Sequence, residues 1–516
     1  MRTAVLLAAA CLLTLDVRCL GARILAVVPT PSISHQLPLR TVLLELARRG
    51  HQVTFITTHP IQVPTANYSE IDISLSSKAF RERIDFNEFP DPTSPTAILK
   101  FIFDMAEIGC AIQFGLEPMK EFMKVEQTYD AVIVEKLGSS CYYGLAHKMG
   151  SPPLIGYTSL GATSLIRKTF GGPINPSYIP DYNLGYTDHM TFWQRLYNAY
   201  ILLRSLDVEE RAFYGRHEEE MRKYSGANPP TLRVMDYNFS LILVNNHFSL
   251  SYPVPNTPNI VELTGIHIQK EKKPLPKDVR QFLDGARDGV VYFSLGSNVQ
   301  SSAMPPETVR AFLDAFAAMP QRVLWKWEAD GLPGQPGNVM TAKWLPQQDV
   351  LAHPNVRLFI TQGGLQSWNE AAYFSVPVIG IPFLGDQIYN VEKMVGLGVG
   401  RRLDLKDVTK DSVLETVQTV LEDKSYQENM KRFSAIYREH QSTSLERAVW
   451  WVEYVIRHQG APHLRSAALD LHWWQLLLLD VIAFILAVAA VVAFVLYRLT
   501  LWLFSWLTRP SKLKKQ

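Results

Sequence analysis

The sequence predicts an α/β fold of two successive halves, each a mostly parallel sheet covered by helices, followed by a single membrane-spanning helix. Three observations carry this reading. Short apolar runs alternate with helix-period segments from residue 23 to about 244; the alternation restarts at 290 after a polar, proline-containing stretch; and residues 476–497 are almost wholly apolar. A chain of 516 residues, 47% hydrophobic, exceeds what one compact core usually organises, which fits two domains. The formal charge of +2 and the lack of a basic stripe exclude the electrostatic footprint of a nucleic-acid binder.

Met1 and Arg2 precede an apolar run over 4–13 and the small residues Gly21 and Ala22, the build of a cleavable secretory signal, assigned to 1–21. Its removal takes away Cys11 and Cys19, so Cys110 and Cys141 support at most one internal disulfide. The first half, 22–268, opens with a buried strand at 23–28. Leu39, Val42, Leu43 and Leu46 then repeat at helical spacing up to Gly50, and 53–57 form a second strand. A strand at 129–134 precedes a helical segment ending near Gly150, and 241–244 is a further strand. Segments 97–125 and 191–224 have helical character, separated by the Pro- and Gly-containing stretch 171–180, which is expected to run over the surface.

Residues 269–277, with Pro274 and Pro276, interrupt the pattern as a linker. The second half, 278–460, reads as strands at 290–294, 323–327, 356–361 and 378–381, with helices near 306–318, 365–374 and 391–395. Such alternation implies a sheet covered on both faces, with ligands beyond the carboxyl ends of its strands.

At roughly 1.5 Å per residue, the apolar stretch 476–497 spans about the 30 Å of a bilayer core. Asp480 lies near one end, Trp473 and Trp474 form an aromatic belt before it, and Arg498, Arg509, Lys512, Lys514 and Lys515 follow it. The basic tail, 498–516, is therefore expected in the cytosol and the bulk of the chain in a lumen, a single-pass type I topology. Lys512 and Lys514 resemble a dilysine retrieval signal, which places the protein in the endoplasmic reticulum membrane. Asn67-Tyr68-Ser69 and Asn238-Phe239-Ser240 are acceptor sequons for lumenal N-glycosylation.

The stretch richest in chemistry runs through Trp344 and Gln347, then Gln362-Gly363-Gly364-Leu365-Gln366-Ser367 and Glu370, and closes at Asp386-Gln387. A strand that enters a glycine pair and then a helix lets backbone amides approach a diphosphate and aims a helix N-terminus at it. Trp344 can stack on a base, Gln347 can bond a nucleoside, Glu370 can accept from ribose hydroxyls, and Asp386 and Gln387 can bind sugar hydroxyls. Together these describe a nucleotide-sugar site.

These motifs resemble the UDP-glycosyltransferase family, whose signature runs from a Trp-x-x-Gln segment through a His-Gly-Gly turn to an Asp-Gln pair. The resemblance covers nearly the whole chain. It implies a GT-B architecture of two Rossmann-like domains, a UDP-sugar held chiefly by the C-terminal half with Gln366 and Ser367 in the donor site, and inversion at the anomeric carbon without a metal. In that pattern Ser297, after the strand ending at Ser294, approaches the donor phosphates. Gln362 replaces the family's frequent His; it can donate to a phosphate but carries no charge. The Gln-Gly-Gly turn looks most like that of insect members, which are similar to glucosyltransferases of plant toxins, pigments or steroids. UDP-glucose is thus the expected donor, with UDP-glucuronate or UDP-galactose as alternatives.

Transfer to a hydroxyl calls for a base, and a neutral histidine suits it. His35 lies between the first strand and the first helix, where the family's base stands. Glu135, after the strand at 129–134, is the candidate orienting carboxylate, one methylene longer than the family's usual Asp; Asp130 begins that strand and reads as structural. No zinc spacing and no Gly-x-Ser-x-Gly elbow occurs. The expected partners are a UDP-sugar, a small lipophilic acceptor and a bilayer, with no cofactor and no nucleic acid, and with monomer and homo-oligomer both open. A membrane-anchored sugar-binding relative without catalysis is the rival class.

Overall fold

A computed structural model describes residues 21–61, 63–83, 94–269, 271, 273–441 and 443–508. Residues 1–20 of the signal expected over 1–21, the tail residues Arg509, Lys512, Lys514 and Lys515, and positions 270 and 272 of the expected linker lie outside the described residues. The chain forms two compact units, Met1–Arg465 and Ser466–Gln516.

The first unit holds two sheets. One comprises β1 (Arg23–Val28), β2 (Gln52–Thr57), β3 (Tyr68–Asp72), β4 (Ala131–Glu135), β5 (Leu154–Thr158), β6 (Phe239–Val244) and β7 (Ile260–Glu262), in the order β3-β2-β1-β4-β5-β6-β7. The other comprises β8 (Val290–Ser294), β9 (Arg322–Lys326), β10 (Val339–Ala342), β11 (Val356–Thr361), β12 (Val378–Gly380) and β13 (Gly400–Arg402), in the order β10-β9-β8-β11-β12-β13. Every pairing between these strands is parallel. Each sheet therefore reverses its winding once, between β1 and β4 and between β8 and β11, and these reversals open ligand crevices at the carboxyl edge.

Both faces of each sheet are covered, which is why the strands are apolar runs without alternation. Leu25 and Val27 of β1 pack in one core while Ile24, Ala26 and Val28 pack in another. Eight helices bear on the site and on the second unit: α1 (Ile33–Arg48), α2 (Pro95–Phe114), α3 (Cys141–Lys148), α4 (Phe192–Val208), α5 (Leu365–Phe374), α6 (Gln387–Gly396), α7 (Ser444–Arg457) and α8 (Leu479–Leu507). Cys110 on α2 and Cys141 at the start of α3 are joined as a disulfide. Helix α7 presents Val449, Val452 and Val455, a helical stripe, to the core of β1 and α1, so the chain ends its second half by covering the first sheet.

The helical stretch expected over 97–125 is broken at Gly115, and that over 191–224 contains a π-helical segment, Glu209–Arg216, between α4 and a helix at His217–Tyr224. The edge strands β3 and β13 were not apparent in the sequence because Tyr-Ser-Glu-Ile-Asp and Gly-Arg-Arg lack an apolar run. In the second unit α8 runs past 497 through Arg498 to Leu507, because residues 499–507 contain neither Pro nor Gly. It is long and apolar enough to cross a membrane.

Candidate active site

The reversal between β1 and β4 sets the first half of the site. Val27 pairs with Val134, so Val28 and Glu135 come side by side at the carboxyl edge. His35 lies within the first turn of α1 rather than ahead of it. Its Nδ1 is 2.5 Å from Glu135 Oε1, Thr30 Oγ1 donates to Glu135 Oε2 at 2.6 Å, and Tyr157 Oη donates to the His35 carbonyl at 3.0 Å. A carboxylate that accepts the Nδ1 proton fixes the neutral tautomer whose lone pair is on Nε2. Asp130 sits at the opposite edge, where its Oδ2 accepts from the Arg23 amide at 2.7 Å.

Pro38 has a structural consequence here. Lacking N–H, it leaves the Ser34 carbonyl, four residues back, without its helical donor. Gln366 Nε2, on α5 of the second half, donates to that carbonyl at 3.1 Å and to the Ser159 carbonyl at 3.1 Å. Ser32 Oγ donates to Asn298 Oδ1 at 2.8 Å, a second bond between the halves. Gln366 thus joins the two halves as well as lining the cleft between them.

That cleft, about 600 Å³, runs along the carboxyl ends of both sheets. Thr361 and Ser294 are paired at the ends of β11 and β8, which sets Gln362-Gly363-Gly364 beside the turn bearing Gly296 and the exposed Ser297. Gly363 has φ +84° and a Cβ there would lie 2.5 Å from Val391 Cγ2, so a side chain is excluded on both counts. Helix α5 starts at Gly364 with no side-chain cap, leaving its first amides for an anion. Gln362 Oε1 accepts from Gln387 Nε2 at 3.2 Å. Gln387 Oε1 in turn accepts from the Phe383 and Leu384 amides at 2.8 and 3.1 Å.

At the other end of the cleft, Trp344 is 63% exposed beside Lys326, whose Nζ is 5.9 Å from the ring centre. Glu370 is buried. Its two oxygens accept from Gln347 Nε2 at 2.6 Å and Gln348 Nε2 at 2.9 Å, with His267 Nε2 3.4 Å away. Ser367 Oγ accepts from Gln347 Nε2 at 3.0 Å, and Tyr292 Oη donates to Gln347 Oε1 at 3.1 Å. Each carboxylate oxygen keeps a second lone pair for a ligand hydroxyl. Trp368 faces away from the cleft, stacked on Phe433 in the core.

Asp386 lies in the cleft wall and accepts from Asn390 Nδ2 at 2.9 Å. Burial pushes its pKa up to about 6, against the opposing pull of the Asn390 donor and of His35. A charged carboxylate binds sugar hydroxyls more strongly than a neutral one. The donor KM is therefore expected to stay flat at higher pH and to rise as pH falls through about 6, where Asp386 takes its proton. Donor titrations across that range check this, and Asp386→Asn should abolish the trend.

A second, largely apolar cavity of about 160 Å³ lies in the first half. It shares the walls Ile102, Leu137, Leu160, Gly385 and Asp386 with the cleft, so the two spaces meet beside Asp386. Lys136 and Asp236 line it as a buried ion pair at 2.5 Å, and Asp236 also accepts from Tyr214 Oη at 2.7 Å.

The structure thus gathers His35, Ser297, Trp344, Gln347, Gln362, Gly364, Gln366, Ser367, Glu370, Asp386 and Gln387 around one cleft, with Glu135 behind His35 and Gly363 beneath the turn. Asn67 and Asn238 are exposed, away from it. Thr30, Tyr157, Tyr292 and His267 were not read from the sequence, since no motif spacing links them to their partners. Gln348, next to Gln347, had no role assigned from the sequence; its partner Glu370 lies 22 residues on.

Two solved structures share this fold. They are the glycotransferase of kitacinnamycin, with a TM-score of 0.54 at 20% identity over 84% of this chain and 99% of that one, and the calicheamicin glycosyltransferase CalG4, with 0.53 at 19% over 85% and 99%. The architecture is GT-B. Residues 23–514 match the family described as UDP-glucoronosyl and UDP-glucosyl transferase. UDP-glucosyltransferase 2 of Dactylopius coccus is 39% identical over 479 residues, 92% of each chain. A UDP-glucuronosyltransferase of Pleuronectes platessa is 39% identical over 443 residues, 85% of this chain and 91% of that one. UDP-glucuronosyltransferase 2B30 of Macaca fascicularis is 32% identical over 480 residues, 90% of each. The chain belongs to the UDP-glycosyltransferase family and is a glycosyltransferase.

Proposed function

We propose that the protein transfers glucose from UDP-glucose to a hydroxyl of a small lipophilic acceptor, with inversion and with His35 as general base. The observation that carries this reading is the junction of the two spaces: an apolar cavity suited to the acceptor meets a polar cleft suited to the nucleotide sugar, with His35 and Asp386 at the cleft's inner wall. His35 Nε2 takes the acceptor hydroxyl proton as that oxygen attacks the anomeric carbon. The bond from that carbon to the diphosphate breaks and UDP leaves with the electron pair. Glu135 positions the imidazole and offsets its charge once protonated. The uncapped start of α5, Ser297 and the Gln362 amide receive the charge growing on the diphosphate.

A neutral sugar is favoured by charge placement. Among the described residues lining the cleft, the lysines are Lys326, beside Trp344, and Lys273, whose amide bonds Asp349 just beyond Gln347. Both belong to the nucleoside end, while a carboxylate on the sugar would face Asp386. Purified full-length protein assayed with UDP-glucose, UDP-glucuronate and UDP-galactose is expected to turn over UDP-glucose fastest. Exclusive use of UDP-glucuronate would remove this reading, and UDP binding without transfer from any donor would favour the non-catalytic relative.

The Cys110–Cys141 disulfide fits an oxidising lumen, and α8 supplies a type I anchor in the endoplasmic reticulum membrane. Exposed Asn67 and Asn238 are then available for glycosylation. After translation into microsomes, protease should remove a C-terminal tag and leave the first unit intact; digestion of that unit in sealed vesicles sinks the topology.

A further inference from the structure

The cavity of the first half is apolar except on one wall. Where it meets the cleft it is bounded by Ile102, Leu137, Leu160, Gly385 and Asp386; away from the cleft it is lined by Lys136, Glu209 and Asp236, all buried. Charged groups taken out of water need partners, and these three differ in how far that need is met. Asp236 is nearly saturated: Lys136 and Tyr143 donate to Oδ1 at 2.5 and 3.2 Å, and Tyr214 donates to Oδ2 at 2.7 Å. Lys136 is engaged by Asp236 and by the Phe239 ring, 4.2 Å from its Nζ to the ring centre. Glu209 differs from both. Lys168, which does not line the cavity, donates to its Oε2, while among the described residues its Oε1 has no hydrogen-bond partner. The side chain is nevertheless buried, with the residue only 5% exposed, and it faces the cavity. The backbone there is unusual as well. Glu209 opens the π-helical segment Glu209–Arg216, which also brings Phe213 to the cavity wall, and such wide turns are rare and concentrate at functional sites.

We propose that Glu209 selects the acceptor: its open oxygen accepts a hydrogen bond from a second hydroxyl, at the end of the acceptor away from the hydroxyl that receives the sugar. The inference rests on the acceptor cavity proposed above and names the class of molecule it takes, a compact apolar skeleton with two separated hydroxyls. The reacting hydroxyl must stand at the junction beside Asp386, and Glu209 lies on the wall that the cleft does not share. Any ligand that fills the cavity strips water from Oε1. A hydroxyl there supplies a charge-assisted hydrogen bond in its place, whereas a C–H edge leaves a buried carboxylate oxygen unpaired. The usual strength of such a bond corresponds to about 10- to 100-fold in kcat/KM. A carboxylate at that end of the acceptor would face like charge. Lys168 holds the other oxygen, so Oε1 is presented in one direction.

The test uses purified full-length protein, the UDP-sugar it turns over fastest, and acceptors matched on three skeletons of increasing span: phenol, 2-naphthol and 4-hydroxybiphenyl, each beside its diol with hydroxyls at opposite ends and beside the hydroxy acid of the same shape. At least one diol is expected to exceed its parent by about 10-fold or more in kcat/KM, well above the factor of about two that a second equivalent hydroxyl supplies, and its hydroxy acid should be poorer than the parent. Glu209→Leu should bring that diol-to-parent ratio down to about two, and Glu209→Gln, whose amide oxygen still accepts but without charge, should keep an intermediate ratio. Because the reading is a ratio between two acceptors, a general loss of fold or of donor binding cancels from it. Diols within about twofold of their parents on every skeleton overturn the selection and leave glycosyl transfer standing. A ratio that Glu209→Leu leaves unchanged overturns the assignment to Glu209. Preference for the hydroxy acid assigns recognition to Lys136 and overturns it too. Transfer to none of these acceptors from any UDP-sugar overturns the acceptor reading on which the inference rests.

Discussion

His35→Ala is expected to lower kcat by about 10²–10⁴-fold, the usual contribution of a positioned general base, while UDP-sugar binding is unchanged. The separation follows from geometry. His35 is held from behind by Glu135 at 2.5 Å, whereas the nucleotide groups Trp344, Gln347 and Glu370 belong to the other half. Turnover measured beside calorimetric binding of UDP-glucose distinguishes the two effects, and substantial residual turnover would remove the mechanism. Glu135→Gln supplies a second reading. An amide can turn its NH₂ toward Nδ1 and place the ring proton on Nε2, where it blocks proton acceptance. A loss approaching that of His35→Ala, with fold and donor binding retained, is expected; a loss under about threefold would mean that the Glu135 carboxylate is not needed to set the tautomer of the ring.

Glu370→Ala is expected to raise the donor KM on the order of 10- to 100-fold, with a smaller effect on kcat. Charge-assisted hydrogen bonds of this type contribute about 1.5–3 kcal/mol each. Glu370 also holds the amides of Gln347 and Gln348 in place, so its loss frees both side chains that shape the nucleoside end. Steady-state kinetics with varied UDP-glucose checks this. An unchanged KM would place the ribose elsewhere in the cleft.

Much of the site was legible before any coordinates because its chemistry is local. The glycine pair after β11 and the uncapped helix behind it are neighbours in sequence, and backbone sterics dictate their shape. Trp344, Gln347, Asp386 and Gln387 stand in short segments whose spacing carries a family signature. The contacts that complete the site are not local. Glu135 is 100 residues from His35, and Gln366 is 332 residues from Ser34. Pro38 was visible in the sequence, but the orphaned carbonyl it creates acquires meaning only when the second half brings Gln366 to it. Glu209 was also written in the chain, yet helical character alone over 191–224 did not say that it would face the apolar cavity.

The sequence by itself determined the alternation of strands and helices, the apolar stretch at 476–497 and the residues that can handle a nucleotide sugar, because these depend on periodicity, length and neighbouring side-chain chemistry. Only the tertiary structure decided that β1 adjoins β4 and β8 adjoins β11, that α7 returns to the first sheet, and that the apolar cavity and the donor cleft meet beside Asp386. Those outcomes depend on which buried faces pack together, a choice made by contacts between distant segments and carried by no single stretch of the chain.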